Sequence, residues 1–267
     1  METFRYFMGL RFIGSGFCGW QIQKGQPSIQ QTIEDALAVL IKEKITLTGS
    51  GRTDTGVHAL NYTAHFDCAI PPDKMGALNL VYRLNRILPP TIAVNSLTHV
   101  VNDAHARFSA ISRTYNYFIC RQKDPFWYGR AWILERELNI EAMREAAELL
   151  LRFHDFKCFS KSNTQVKNYL CKISEVSFRE DDHILIFQIT SDRFLRNMVR
   201  AIVGTLADIG LGKLDKEGFV KIIESRNRSN AGYSVPGHGL YFTGAKYEES
   251  IFLSSHGIHP SSTKLCE

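Results

Sequence analysis

Residues 49–59 read GSGRTDTGVHA, and the rest of the chain is organised around this stretch. One carboxylate, Asp54, follows one guanidinium, Arg52, and the glycines Gly51 and Gly56 bracket the pair. Glycine tolerates positive φ and lets backbone or ligand approach closely. Because β-rich sequence lies on both sides, the stretch is predicted to be a polar loop between strands, a common location for chemistry. A tight turn with a surface ion pair is the alternative that residue types alone leave open.

The triplet Asp54-Thr55-Gly56 also matches the signature of the aspartic proteases. Those enzymes need two such carboxylates that share one proton, and this chain has one copy of the triplet. Arg52 would moreover hold a nearby carboxylate ionised, whereas a protease pair must retain a proton. The aspartic-protease interpretation is therefore disfavoured.

The composition is typical of a globular protein with a mild positive charge. Of the 267 residues, 44% are hydrophobic and 22% are charged, and the formal net charge is +5. This charge is compatible with a nucleic-acid partner but does not prove one. Charges at Glu2, Arg5 and Arg11 interrupt any signal-peptide core. No apolar run approaches the roughly 18 residues of a membrane span, so no membrane association is expected.

The six cysteines predict a reduced, cytoplasmic protein without a metal site. They show no CxxC spacing, and most lie in apolar runs, where a thiol behaves as a small hydrophobic group. His154, Cys158 and Cys171 could supply metal ligands by residue type. Their spacing matches no standard zinc pattern.

The first hundred residues predict the order β-α-β-β-α-β, which is the ferredoxin-like order. Ser28 followed by Gln31 is a capping-box signature at the start of the first helix. The second helix is expected to turn one side inward. The predicted strands are 3–13, 45–48, 62–68 and 91–101, the helices are 28–41 and 73–88, and the inward residues of the second helix are Leu78, Val81, Tyr82 and Leu88.

Residues 14–19 match the pattern G-x-G-x-x-G after a strand. A dinucleotide site requires a helix to begin directly at those glycines. Turn-like sequence continues instead to Pro27, and the helix is predicted to begin only at Ser28. A nicotinamide-dinucleotide site is therefore disfavoured.

The second half of the chain repeats the same order. Asn139 can cap a helix whose inward side ends in Leu150 and Leu151. Two repeats predict an α+β protein with two similar domains, residues 1–106 and 107–248, followed by a polar tail at 249–267. The predicted strands are 113–120, 166–178, 183–189 and 240–247, and two further helices are predicted at 195–209 and 215–224.

Arginines are expected to gather at the polar junctions. Arg196 and Arg200 are four residues apart on the predicted helix 195–209 and would share one face. Guanidinium groups suit phosphate recognition, although six solvated surface arginines are the alternative. The six are Arg52, Arg107, Arg113, Arg193, Arg196 and Arg200.

Tyr115 and Tyr117 lie on one face of the predicted strand 113–120. An exposed aromatic on such a strand can stack on an unpaired base. Core packing is the alternative, and it is the favoured one for one of the two.

Taken together, six motifs resemble the tRNA pseudouridine synthase A family. They occur in the family's order and cover roughly residues 3–247, which is far more specific than any single match. They are FCGWQ at 17–21, GRTDTGVHA at 51–59, HARFSA at 105–110, RTY at 113–115, FLRNMVR at 194–200 with IVG at 202–204, and GLY at 239–241.

The resemblance implies two ferredoxin-like halves related by a pseudo-two-fold axis, with antiparallel sheets that meet at a basic cleft. It implies a homodimer that uses no cofactor and no metal. The implied activity is isomerisation of uridine to pseudouridine in the anticodon stem-loop of tRNA, at tRNA positions 38, 39 and 40, after the target base has flipped out of the stem.

The resemblance also assigns roles to residues. Asp54 would be the nucleophile, Arg200 its ion-pair partner from the second half, and Tyr115 the residue that stacks on the target base. The implied RNA-binding residues are Arg52, Arg107, Arg113, Arg196 and His58.

The sequence departs from the commonest family pattern at a few positions. None is the aspartate, an arginine or Tyr115, so the chemistry is expected to persist while the choice of uridine is less determined. A synthase that acts on other tRNA uridines, or a non-catalytic RNA-binding protein on the same fold, are the alternatives. Asp54 discriminates against the second, because a lone carboxylate would repel phosphate. The departures are Phe17, Thr55, Asn61-Tyr62 and Ala104.

Overall fold

The computed structural model describes residues 2–162 and 168–253, which adopt an α+β fold with mostly antiparallel strands. The described chain divides into two compact units. One contains residues 2–111 and 242–253, and the other contains residues 112–241. None of the helices in the described ranges is long and apolar enough to cross a membrane.

Nine strands and six α-helices are defined in these ranges, and the Asp54 loop joins the second and third strands. In chain order they are β1 (Phe4–Phe12), α1 (Ile29–Ile41), β2 (Thr48–Gly49), β3 (His58–Cys68), α2 (Pro72–Ala77), α3 (Leu80–Ile87), β4 (Ile92–Val100), β5 (Ala110–Cys120), β6 (Trp132–Ile133), α4 (Ile140–Leu149), β7 (Ile173–Asp181), β8 (Ile184–Ser191), α5 (Met198–Gly210), α6 (Lys216–Ser225) and β9 (Leu240–Tyr247).

In the first unit β1 is the central strand. It pairs antiparallel with β3 on one side and with β4 on the other, so that Phe7 lies opposite both His65 and Thr98. The short β2 extends this sheet by pairing with β3. Phe7 and Leu10 of β1 are completely buried, as expected for a strand with neighbours on both edges.

In the second unit β8 pairs antiparallel with β5 and with β7, and β6 adds a short parallel pairing to β5. Helix α5 supplies much of the core of this unit. Leu195, just before the helix, is buried, as are Met198, Val199, Ile202, Val203, Leu206 and Ile209 within it.

Two helix starts predicted from capping residues are confirmed. The Ser28 hydroxyl accepts from the Gln31 N–H at 3.3 Å at the start of α1. The Asn139 side-chain oxygen accepts from the Ala142 N–H at 3.0 Å at the start of α4. Each bond satisfies one of the N–H groups that have no partner within the helix.

The predicted helix 73–88 is wrong in one respect, because Asn79 interrupts it. Asn79 adopts the left-handed conformation with φ of 44°, and the chain forms α2 and α3 on either side. Asparagine tolerates this conformation better than most residues. The break shifts the helical phase, so Tyr82, predicted to point inward, is 60% exposed, while Leu80 and Leu84 are buried.

A second left-handed asparagine shortens α5. Asn197 has φ of 67° and precedes the first helical residue, Met198. Arg196 therefore lies in a turn before the helix, and the prediction that Arg196 and Arg200 share a helical face is wrong.

Smaller differences concern the ends of elements. Of the predicted strand 45–48, only Thr48 lies in a strand, the two-residue β2. Leu151, predicted to point inward, is exposed, because the chain leaves α4 before it. Strand β7 begins at Ile173, and residues 166 and 167 of the predicted strand lie outside the described residues.

The start of the predicted polar tail packs on the first unit. Phe252 forms a bridge with Val100, and its ring lies 6.1 Å from that of Phe7. Residues 254–267 of the predicted tail lie outside the described range.

Candidate active site

The loop that carries Asp54 is short and closed on itself. The Ser50 N–H donates to the Thr63 carbonyl at 2.8 Å, and the Val57 N–H donates to the Asp54 carbonyl at 3.2 Å. Gly56 completes this turn with φ of 77°, a conformation that glycine adopts without steric cost. Asp54 is therefore presented, half-buried, from a turn between two paired strands.

The segment 14–20 packs against the backbone of this loop. A Cβ atom on Gly19 would collide with the Thr53 carbonyl oxygen and lie 3.2 Å from the Asp54 carbonyl carbon. A Cβ atom on Gly14 would collide with the Val57 carbonyl in the same way. These glycines therefore permit direct contact between two backbone segments, and no helix begins at them, which excludes the dinucleotide arrangement.

His58 lies beneath the loop and is only 1% exposed. Its Nδ1 atom accepts a hydrogen bond from the Gly14 N–H at 3.0 Å. The predicted RNA-binding histidine is thus a buried residue that links the end of β1 to the start of β3, and its described position offers almost no surface to RNA.

Trp20 and Tyr62 form the buried floor of the loop. Their ring centroids are 4.4 Å apart, and the Tyr62 hydroxyl donates to the Gly51 carbonyl. A Cβ atom on Gly49 would lie 2.7 Å from the Trp20 indole, so this glycine is required for the close packing. Tyr62 is one of the positions where the sequence departs from the family pattern, and sequence reasoning gave it no role.

Two buried hydroxyls beside Asp54 have no hydrogen-bond partner among the described residues. They belong to Ser50 and Thr53. Buried hydroxyls in folded proteins usually bond to other protein groups or to water. The loop therefore combines a partly exposed carboxylate with polar groups held in place by its surroundings.

The second unit carries the other predicted catalytic residues. Tyr115 on β5 is 8% exposed, and its ring lies perpendicular to that of Phe194 at 5.0 Å. Tyr117 on the same strand is completely buried and donates its hydroxyl to the Pro236 carbonyl at 2.9 Å. Burial raises the pKa of Tyr117 far above its ordinary value, so Tyr117 is a neutral core residue.

Arg200 is oriented by the segment 231–235. Its Nε donates to the Val235 carbonyl at 2.6 Å, and the Val235 N–H donates to the Arg200 carbonyl at 3.3 Å. Arg228 holds that segment in turn, because its guanidinium donates to the Gly232 carbonyl at 3.0 Å and to the Ser234 hydroxyl at 2.9 Å. This support for Arg200 has no recognisable sequence signature.

Of the remaining predicted RNA-binding arginines, three lie in loops or turns and one lies on β5. Arg52 in the Asp54 loop, Arg107 and Arg196 are exposed. Arg113 is half-buried on β5 and donates to the Asp192 carbonyl at 2.6 Å.

Metal ligands and reactive thiols do not gather in the described chain. In residues 2–162 and 168–253, no group of three or more His, Cys, Asp or Glu side chains could hold a metal ion. Cys158 and Cys171 are free and buried, and burial raises the pKa of each thiol to about 12.

Comparison with known proteins gives consistent matches. A family model described as tRNA pseudouridine synthase matches residues 146–248. The tRNA pseudouridine synthase A of Parabacteroides distasonis is 46% identical over 248 residues, which cover 93% of this chain and 98% of that protein. The protein of the same name from Porphyromonas gingivalis is 46% identical, covering 93% and 99%, and that from Bacillus subtilis is 40% identical, covering 90% and 97%.

The matched class is that of enzymes which isomerise uridine to pseudouridine in tRNA. At these identities over almost the whole length, the chain belongs to the tRNA pseudouridine synthase A family.

Proposed function

We propose that this chain isomerises uridine to pseudouridine in the anticodon stem-loop of tRNA, with Asp54 as the nucleophile. Family membership gives the reaction class, an isomerase that acts on tRNA uridine. The observation that supports Asp54 is its loop, which Gly19, His58 and Tyr62 hold by backbone contact and hydrogen bonds. A carboxylate held in this way is suited to attack or to stabilise one fixed atom.

The reaction needs no cofactor to balance. The bond between C1′ of the ribose and N1 of uracil breaks, the base rotates, and C5 bonds to C1′. C5 then loses its proton, and N1 carries one in the product. Asp54 would either form a bond to C1′ or stabilise the positive charge that develops there.

Arg200 and Tyr115 complete the proposed catalytic set. A cation close to a carboxylate stabilises its charge, and Arg200 is proposed as the ion-pair partner of Asp54. The hydrogen bond from Arg200 to Val235 supports this role, because it fixes the guanidinium plane. Tyr115 would stack on the target base.

RNA binding is assigned to the arginines of both units. Arg52, Arg107 and Arg196 are exposed and can reach phosphates, and Arg113 on β5 would join them. His58 is assigned to support of the Asp54 loop, because of its burial and its bond from Gly14.

The proposal includes the two ferredoxin-like halves and the basic cleft that the resemblance implies. The strand order in the first unit, β4-β1-β3 with β2 on β3, supports the ferredoxin-like assignment for that unit. A homodimer in the cytoplasm is also part of the proposal. Within the described residues, the free thiols of Cys18, Cys68, Cys120, Cys158 and Cys171 are consistent with a reducing compartment.

The test is to incubate purified protein with unmodified tRNA transcript and to map pseudouridine by carbodiimide-dependent primer-extension stops. Stops in the anticodon arm are expected, and each should disappear when its uridine is replaced by cytidine. Stops confined to another arm would contradict the proposed site of modification. If the protein shifts the tRNA in a gel but produces no primer-extension stop, the non-catalytic RNA-binding protein would be favoured instead.

A further inference from the structure

Phe108 is a large aromatic side chain held out in solvent. It lies in the turn 105–109 that precedes β5 and is 75% exposed. A single exposed hydrophobic residue is unremarkable on a protein surface. Phe108 differs because its neighbours fix both its backbone and its ring.

The His105 ring organises the turn. Its Nδ1 atom accepts from the Arg107 N–H at 3.0 Å and from the Phe108 N–H at 3.2 Å. The turn is closed by Ser109, whose hydroxyl accepts from the His105 N–H at 2.9 Å and whose N–H donates to the His105 carbonyl at 2.9 Å. The backbone of Phe108 is thus fixed on both sides.

Two side chains flank the Phe108 ring. The His105 ring centroid lies 4.4 Å from that of Phe108, and the guanidinium carbon of Arg107 lies 5.5 Å from the Phe108 centroid. An arginine in this position attracts the aromatic face. The exposed ring therefore has a cation beside it, which is the combination that binds a base and its phosphate.

The turn is also attached to the core of the first unit. The Ala106 N–H donates to Nδ1 of buried His65 at 3.0 Å, and the Ala106 carbonyl accepts from the Tyr247 hydroxyl at 2.6 Å. Ala106 itself is completely buried. A rigid surface group loses little conformational freedom on binding, which favours affinity.

We propose that Phe108 is a stacking platform for an unpaired base of the RNA substrate, with Arg107 beside it for the adjoining phosphate. This inference rests on the proposed function only in taking RNA as the substrate. RNA is favoured over a protein partner because the exposed ring is in contact with a guanidinium, and because stem-loop RNA offers bases outside the duplex.

The test compares four variants in binding to an anticodon stem-loop RNA. Phe108→Ala should weaken affinity by about 5- to 150-fold, the range for loss of one base–aromatic stack. Phe108→Leu should be nearly as weak, whereas Phe108→Trp should bind like the wild type and lose fluorescence when RNA is added. The control Phe126→Ala removes an aromatic that is 86% exposed in the second unit and should not alter affinity.

A second measurement identifies the stacked nucleotide. Abasic substitutions are placed one at a time in the RNA loop. One of these substitutions should weaken RNA binding by the wild type and should not weaken RNA binding by the Phe108→Ala variant any further. Wild-type affinity in Phe108→Ala, recovery of binding by Phe108→Leu, or no RNA binding by the wild type would overturn the platform.

The two proposals fail separately. A wild-type protein that forms no pseudouridine, but whose RNA affinity falls in Phe108→Ala, would contradict the activity and support the platform. Normal turnover together with unchanged affinity in Phe108→Ala would contradict the platform alone.

Discussion

The carbonyl oxygen of Thr53 occupies the space that a Cβ atom on Gly19 would need, so no side chain fits at residue 19. This contact joins the segment before α1 to the residue next to Asp54. We expect Gly19→Ala to displace the Asp54 loop and to reduce kcat by about 100-fold, because small displacements of a reacting group have effects of that size. The measurement is single-turnover pseudouridine formation.

Gly16→Ala is the matched control for this prediction. Gly16 has φ of 86° and Gly19 has φ of 90°, so alanine meets similar backbone strain at both positions, of about 1–2 kcal/mol. A Cβ atom on Gly16 would meet no atom within 4 Å. Equal losses of turnover in the two variants would show that backbone strain, and not the contact with Thr53, is responsible.

Replacement of Arg200 should change the pH dependence of the reaction. If Arg200 is the ion-pair partner of the nucleophile, Arg200→Ala removes the cation that favours the reactive carboxylate. The rate of the residual reaction would then begin to rise only at higher pH. Single-turnover rates measured across the acidic side of the profile test this shift. Arg196→Ala, in the turn before α5, should weaken RNA binding without moving the profile, and an unmoved profile in Arg200→Ala would contradict the pairing.

His65 should make folding stability depend on pH. Burial, with smaller effects from Arg5 and His105, lowers its pKa from 6.5 to about 4. Because the unfolded chain takes up this proton more readily than the folded chain, stability is lost as the pH falls from 6.5 toward 4. At about pH 5 this loss of unfolding free energy reaches up to about 2 kcal/mol.

Urea unfolding at about pH 7 and about pH 5 tests this prediction. His65→Asn should show a smaller loss of unfolding free energy between the two pH values than the wild type. His154→Asn, which alters an exposed histidine, should behave as the wild type. An identical pH dependence in all three proteins would remove His65 from the account.

RNA binding should weaken steeply with salt, because contacts between arginine and phosphate release counterions. Arg52→Ala should reduce the magnitude of the slope of log affinity against log salt concentration by about one, the value for one lost phosphate contact. A titration of affinity against salt provides the measurement. A wild-type affinity that does not respond to salt would contradict the phosphate contacts, and an unchanged slope in Arg52→Ala would contradict the one assigned to Arg52.

Sequence patterns predicted the regular elements well where local signals agreed. The caps at Ser28 and Asn139 and the apolar periodicity of α5 are examples, because short-range hydrogen bonds and burial act in the same direction there. The breaks at Asn79 and Asn197 were not predicted. Asparagine can occupy either the right-handed or the left-handed region, and tertiary packing decides between them.

The sequence indicated which residues to propose for the candidate site, but it did not predict the contacts that hold them in place. Asp54 and the arginines were recognisable as charged residues in polar motifs. The contacts of Gly19 with Thr53, Tyr62 with Gly51, and Arg200 with Val235 join residues far apart in the chain or without a distinctive spacing. His58 was assigned to RNA through the family resemblance, and its burial follows from the packing of β1 against β3.

The most direct test of the central claim compares Asp54→Asn with the wild type in two assays on one tRNA transcript. One assay counts pseudouridine formed in a single turnover, and the other measures RNA affinity. The account predicts no detectable product from Asp54→Asn with an affinity that stays within a few-fold of wild type, because the carboxylate serves the reaction and not the binding. Product formed by Asp54→Asn at the wild-type rate would contradict the account.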